Sequence, residues 1–199
     1  MRTVDVHLDT EVWVGVPGEW SEDTWPDYRD WAREVAEIVW AGADPVNGQG
    51  PDHLALGLAM LVEGPFANEP SRRTFLWLPE PTSVLLPIHL EAYAAEGDPD
   101  EALRELTRAD APGAVEEPVV EPCPSPHLGD GRRVLRYAVD PRDGAVVLTL
   151  SYGWRAGGLD VLLWLSTFDT GLAHRAMADV DDLARAVHLV DEGPFRVRQ

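Results

Sequence analysis

Val4, Val6 and Leu8 alternate with polar residues, and Val12, Val14 and Val16 alternate again beyond Asp9-Thr10-Glu11. A period of two puts apolar side chains on one face of an extended chain, which predicts two short strands or one bent one. Pro17-Gly18-Glu19-Trp20 ends that run with turn residues. The period then lengthens: Tyr28, Trp31, Val35 and Ile38 or Val39 share one face of a helix predicted over 26–41. Pro26 suits its first position, Asp27 and Asp30 suit its positive end, and Gly42 closes it.

The stretch 52–62 reads two ways. Leu54, Leu58 and Leu61 fit the inner face of a helix capped by Asp52, whereas Leu54, Leu56, Leu58, Met60 and Val62 fit a strand. An internal echo favours the helix. Leu61-Val62-Glu63-Gly64-Pro65-Phe66 returns as Leu189-Val190-Asp191-Glu192-Gly193-Pro194-Phe195, where it follows a helical pattern and reads as a helix stop. Two strands are predicted at 74–78 and 84–90, then a helix from Asp98 to about Ala109. Residues 110–131 hold five prolines and few apolar positions, a crossing segment and the best candidate linker.

The C-terminal third has the plainest alternation. Strands at 134–139 and 146–154 flank Asp140-Pro141-Arg142-Asp143-Gly144, and a third strand at 159–168 follows Gly157-Gly158. Val146, Leu148, Leu150, Tyr152 and Trp154 share a face of this antiparallel meander. The third strand is apolar on both faces, so it belongs near the middle of a sheet. Asp179 is the expected cap of a last helix over 180–190. The whole reads as one α+β domain over 1–199: a mainly antiparallel sheet covered by about four helices.

Composition narrows the function. All sixteen basic residues are Arg, with no Lys, the bias of a high-GC bacterial coding sequence. Without Lys there is no P-loop lysine, Schiff base or Ser-Lys dyad. A formal charge of −19 argues against nucleic acid or an anionic membrane as partner. A single Cys gives no intrachain disulfide. The start shows no signal-peptide pattern, and no apolar run reaches membrane-spanning length, which leads to the expectation of a soluble, cytoplasmic protein.

Candidate chemistry is sparse. His7-x-Asp9 and His89-x-Glu91 each set a His and a carboxylate on one strand face, a pairing that mononuclear iron or zinc sites use, with His174 as a possible third ligand. The plainer reading makes them polar residues on half-buried strands. Trp20, Trp25 and Trp31 could line an aromatic ligand pocket, although such Trp residues usually serve the core. There is no Gly-x-Ser-x-Gly elbow and no HExxH pair. Cys123, between Pro122 and Pro124, reads as an exposed, incidental thiol.

Pro17-Gly18-Glu19-Trp20 at the front, Asp160-Val161-Leu162-Leu163, and Asp179-Val180-Asp181-Asp182-Leu183-Ala184-Arg185 at the back resemble the PsbP-like α+β sandwich, a fold that also occurs in actinobacterial proteins. This chain departs from it by a helix at about 52–62 and the Pro-rich crossing at 110–131. The resemblance implies a non-catalytic binding or assembly role and transfers no catalytic residue.

The leading expectation is therefore a soluble, non-enzymatic accessory or binding protein that needs no cofactor and meets a protein partner. A metal-dependent oxygenase or hydrolase built on His7, Asp9, His89, Glu91 and His174 is the alternative. An acidic DNA mimic ranks third, because the carboxylates gather at helix starts and Arg29, Arg33, Arg104 and Arg185 interrupt them.

Overall fold

The computed structural model describes residues 2–63 and 72–191. In chain order it contains β1 (Arg2–Val6), β2 (Trp13–Gly15), α1 (Tyr28–Val39), α2 (Pro51–Glu63), β3 (Arg72–Trp77), β4 (Leu86–Ala94), α3 (Pro99–Leu106), β5 (Val119–Pro122), β6 (Gly131–Val139), β7 (Val146–Ala156), β8 (Leu159–Thr167), α4 (Thr170–Ala186) and β9 (Val187–Asp191). The fold is α+β. Seven strands form one sheet in the order β2-β3-β4-β8-β7-β6-β5, and β1 pairs with β9 in a second, two-stranded sheet. Every pairing is antiparallel.

The doubly apolar strand, β8, lies in the middle of the large sheet, as its sequence predicts. The β7–β8 turn is made by Gly157 and Gly158, at φ of 59° and 85°, a left-handed backbone that glycine adopts without penalty. Phe75, Trp77, Ile88, Leu90, Leu163, Leu165, Leu150, Tyr152 and Trp154 alternate onto one face of the sheet. There they join Leu172, Ala173, Ala176, Val180 and Leu183 of α4 and Val4, Val6 and Val187 of the small sheet in one cluster. Among the described residues, the opposite face carries two separate coverings. Val14, Leu76 and Leu78 pack in a second cluster with Trp31, Ala36 and Trp40 of the α1 stretch and Leu54 and Leu58 of α2. The α3 end lies over β7, where a Cβ on Gly153 would meet Thr107 Cγ2 at 2.8 Å.

Several expectations need correction. The last helix is not capped by Asp179. Asp169 caps α4, its carboxylate accepting Leu172 N–H at 2.8 Å, ten residues earlier. Asp179 sits inside the helix and accepts Trp77 Nε1–H at 2.7 Å, tying α4 to β3. Residues 187–191 leave the helix for β9, because Val187 and Leu189 find partners opposite Val6 and Val4. Pairing with a distant strand overrides the local helical pattern. The echo therefore joins unlike elements. Its earlier copy ends α2 and its later copy starts in a strand, while the Gly-Pro-Phe parts of both lie outside the described residues. The helix at 51–63 is real, although the argument from the echo was not its cause.

At α1 the cap is Asp27, whose carboxylate accepts Arg29 and Asp30 N–H groups at 2.8 and 3.0 Å, with Pro26 before it rather than inside. Ile38 is 63% exposed, because the buried face is Trp31, Ala32 and Ala36. α2 begins at Pro51, not after Asp52. The two N-terminal strands belong to different sheets. The Pro-rich 110–131 crossing supplies edge strand β5, which pairs with β6.

Candidate functional site

Two surfaces emerge from this arrangement. The first is a polar cluster on β4. His89 and Glu91 share a face, as the sequence predicts, and both are buried. Sheet register places Thr74 and Trp164 on either side of His89, and Arg72 and Leu162 on either side of Glu91. His89 Nδ1 lies 3.0 Å from Thr74 Oγ1, and its ring lies 4.7 Å from that of Trp164. The Glu91 carboxylate accepts Arg72 Nε–H at 2.5 Å, Trp164 Nε1–H at 3.3 Å and the Tyr93 hydroxyl. The Arg72 guanidinium also lies 5.7 Å from the centre of the Trp164 ring.

The electrostatics follow from this packing. Burial, reinforced by the Arg72 charge and partly offset by Glu91, pushes the His89 pKa down to about 4, so the ring is neutral near pH 7. Burial opposes the Glu91 charge, but hydrogen bonds from Tyr93 and Arg72 outweigh it and hold the carboxyl below its ordinary value. A carboxylate already accepting three donors is poorly placed to act as a base or to ligate a metal. The cluster has the chemistry of a self-satisfied buried network.

The other sequence candidates lie elsewhere. His7 follows β1 and stacks on His188 at 4.3 Å. Asp9 caps a turn, accepting Glu11 N–H at 3.0 Å. His174 is exposed on α4, its Nε2 2.7 Å from the Tyr137 hydroxyl, across the sheet from His89. The structure thus joins His89 with Glu91 and brings none of His7, Asp9 or His174 to them. Among the described residues, no three His, Cys, Asp or Glu side chains are placed to hold a metal ion. Cys123 is half-buried against the core rather than exposed, and burial, followed by Asp181, raises its thiol pKa.

The second surface runs over α1 and α2. Trp31 is buried, while Trp20 is 37% exposed, its ring 6.2 Å from Trp31 and 6.5 Å from Tyr28. Trp25 is half-buried and donates from Nε1 to Glu34 at 2.8 Å. Of the three Trp, Trp31 belongs to the core, Trp25 is half-buried beside it and Trp20 lies at the surface. From Tyr28 the surface continues onto α2, since Glu63 accepts the Tyr28 hydroxyl and lies 3.7 Å from Arg29. Glu63 heads a stripe with Met60, Leu56 and Asp52, at i, i−3, i−7 and i−11, all on one side of the helix. Leu56 and Met60 are 61% and 65% exposed. Beside them, a Cβ on Gly57 would meet Leu85 at 3.5 Å, and Val84, next to Leu85, is exposed.

Sequence reasoning missed this stripe although its signal was visible. The even-spaced apolar residues that suggested a strand are the mark of a helix apolar on more than its core face.

No family model matches the chain, and no curated protein matches it. Solved structures similar to this chain include these two. One is LpqN, described as involved in cell envelope biogenesis of Mycobacterium tuberculosis, at 11% identity and a TM-score of 0.42, covering 96% of this chain and 85% of LpqN. The other is a protein of Bacteroides thetaiotaomicron VPI-5482, at 12% identity and a TM-score of 0.40. It covers 66% of this chain, which in turn spans 46% of that protein. The chain's own helices and strands, not these likenesses, carry the α+β class.

Proposed function

We propose that this chain is a non-enzymatic accessory or binding protein that works through protein–protein contacts, with the outer face of α1–α2 as its contact surface. The observation that carries this reading is the exposed Leu56–Met60 stripe. α2 is apolar on its core face and again on the opposite one, and a helix surrounded by apolar side chains normally has neighbours on both sides. Trp20, a residue type enriched at interfaces, extends the same surface. The β4 cluster supports the reading indirectly, because its titratable groups are engaged with one another.

The test is site-specific photocrosslinking in the native host, with a benzophenone side chain at position 56 and a control at exposed Val139. Protein adducts formed from position 56 and absent from position 139 are expected. No adduct from 56, or the same adducts from both positions, would overturn the proposal.

A further inference from the structure

We infer that the α2 stripe docks a cationic amphipathic helix of a partner protein; this rests on the protein-contact reading above and specifies the partner's chemistry. Asp52, Leu56, Met60 and Glu63 form one line on α2, with two apolar residues between two carboxylates. Residues 52 to 63 span about 17 Å at 1.5 Å per residue, the length of three helical turns. A matching helix presents apolar anchors at i and i+4 and a cation near each end.

Charge sets the sign of the partner. The chain carries −19 overall and no Lys. Glu34 and Glu37 are exposed on neighbouring α1, and Glu80 is exposed in the loop before Val84. The opposing charges at this end are few. Arg29 already engages Glu63 and the Tyr28 ring, Arg33 is paired with Asp30, and His53 lies beside the stripe. A basic segment gains attraction over this whole surface, whereas a second copy of the chain brings another −19 and is repelled.

Three synthetic 18-residue peptides test the inference by calorimetry at low salt: a Leu/Arg amphipathic helix, its Leu/Glu twin, and a Leu/Arg peptide with scrambled order. The Leu/Arg helix is expected to bind, with affinity at least tenfold above both others. The double substitution Leu56→Asp/Met60→Asp is expected to lower that affinity at least tenfold, and Leu56→Ser/Met60→Ser is expected to do so without added charge. Both residues lie on the exposed face, and circular dichroism verifies that each variant folds. Equal binding of the scrambled peptide, or unchanged binding by both double variants, overturns the inference. So does a dimer seen by sedimentation that Leu56→Ser/Met60→Ser abolishes, which assigns the stripe to a second copy. Adducts from position 56 without binding of the Leu/Arg helix refute the basic helix and leave the protein-contact reading standing. Absence of both removes that reading as well.

Discussion

The two faces of the seven-stranded sheet solve burial in opposite ways. One face is covered by α4 and the β1–β9 pair over a continuous layer of aliphatic and aromatic residues, with Leu150, Leu163, Leu165, Ile88 and Trp154 fully buried. The other is covered by α1–α2 at one end and α3 further across, with His89, Glu91, Arg72 and Trp164 on the strands between. On the first face, burial is driven by area removed from water, and mistakes are graded. On the second, stability depends on a charge keeping its partners, and a single deletion strands the rest.

The largest expected effect follows from that contrast. Glu91→Ala leaves the Arg72 guanidinium, 20% exposed, without its carboxylate, and removes the hydrogen bonds that Trp164 and Tyr93 donate to that carboxylate. A loss of about 3–5 kcal/mol is expected. Glu91→Gln keeps shape and an acceptor and should cost clearly less. Leu163→Ala, a cavity on the dry face, costs about 2–5 kcal/mol by a different mechanism. Urea unfolding of the three variants measures this, and equal losses for Glu91→Ala and Glu91→Gln would remove the charge argument.

The next difference is acid sensitivity, which belongs to the polar face. His89 titrates near 4 in the folded chain against an ordinary 6.5, so between those values the unfolded chain binds the extra proton. Its contribution is fully present above pH 6.5 and is lost as the pH falls toward 4, up to about 3 kcal/mol. Glu91, also held low, adds loss of the same sign at still lower pH. His89→Gln is expected to flatten the fall in unfolding free energy between pH 7 and 4. An unchanged slope would show that the acid response arises elsewhere.

A third, smaller effect concerns how α4 is fastened to the apolar face. The buried Tyr152 hydroxyl donates to Asp181 at 2.6 Å, while Arg133 reaches the same oxygen at 3.1 Å. Burial and the Asp181 hydrogen bond raise the Tyr152 pKa, keeping the phenol protonated as the donor. Tyr152→Phe removes one charge-assisted bond and leaves Arg133 in place, for an expected loss of about 2 kcal/mol by thermal or urea unfolding. A loss below about 0.5 kcal/mol would mean that Arg133 alone holds the carboxylate.

How much of this was legible in the sequence depends on the range of the interaction. The meander was readable because Val146 to Trp154 alternates and its loops carry Gly144, Gly157 and Gly158, all local signals. α3 was readable from its Asp98 cap, and α1 from the helical period of its apolar residues, although its cap is Asp27 rather than a residue before Pro26. β9 was not, since only Arg2–Val6, nearly the whole chain away, makes Val187–Asp191 a strand. For the same reason Asp179 and Asp181 passed for helix-start charges, when they are acceptors for Trp77 and Tyr152 on other elements. The His89–Glu91 pair was visible by spacing. Its partners Arg72, Thr74 and Trp164 were not, because they depend on the register of β3 and β8 against β4.

The smallest effect sharpens the comparison between fastenings. Where α4 is held by two carboxylates, α3 meets the other face through the exposed Asp100, which pairs with Arg132 at 2.9 Å, and through a buried neutral contact: Ser151 Oγ donates to Thr107 O at 3.0 Å, and Thr107 Oγ1 donates to Leu103 O at 2.6 Å. The contact is close because Gly153 has no side chain beneath Thr107 and Leu103. Ser151→Ala removes one neutral, buried hydrogen bond and opens little space, so a loss of about 1 kcal/mol is expected, near half that of Tyr152→Phe. Hydrogen exchange locates it: protection should fall in α3 and stay unchanged in α4, while Tyr152→Phe should give the reverse. If Ser151→Ala loosened both helices, the two faces would be coupled through β7, and the picture of two independently fastened coverings would fail.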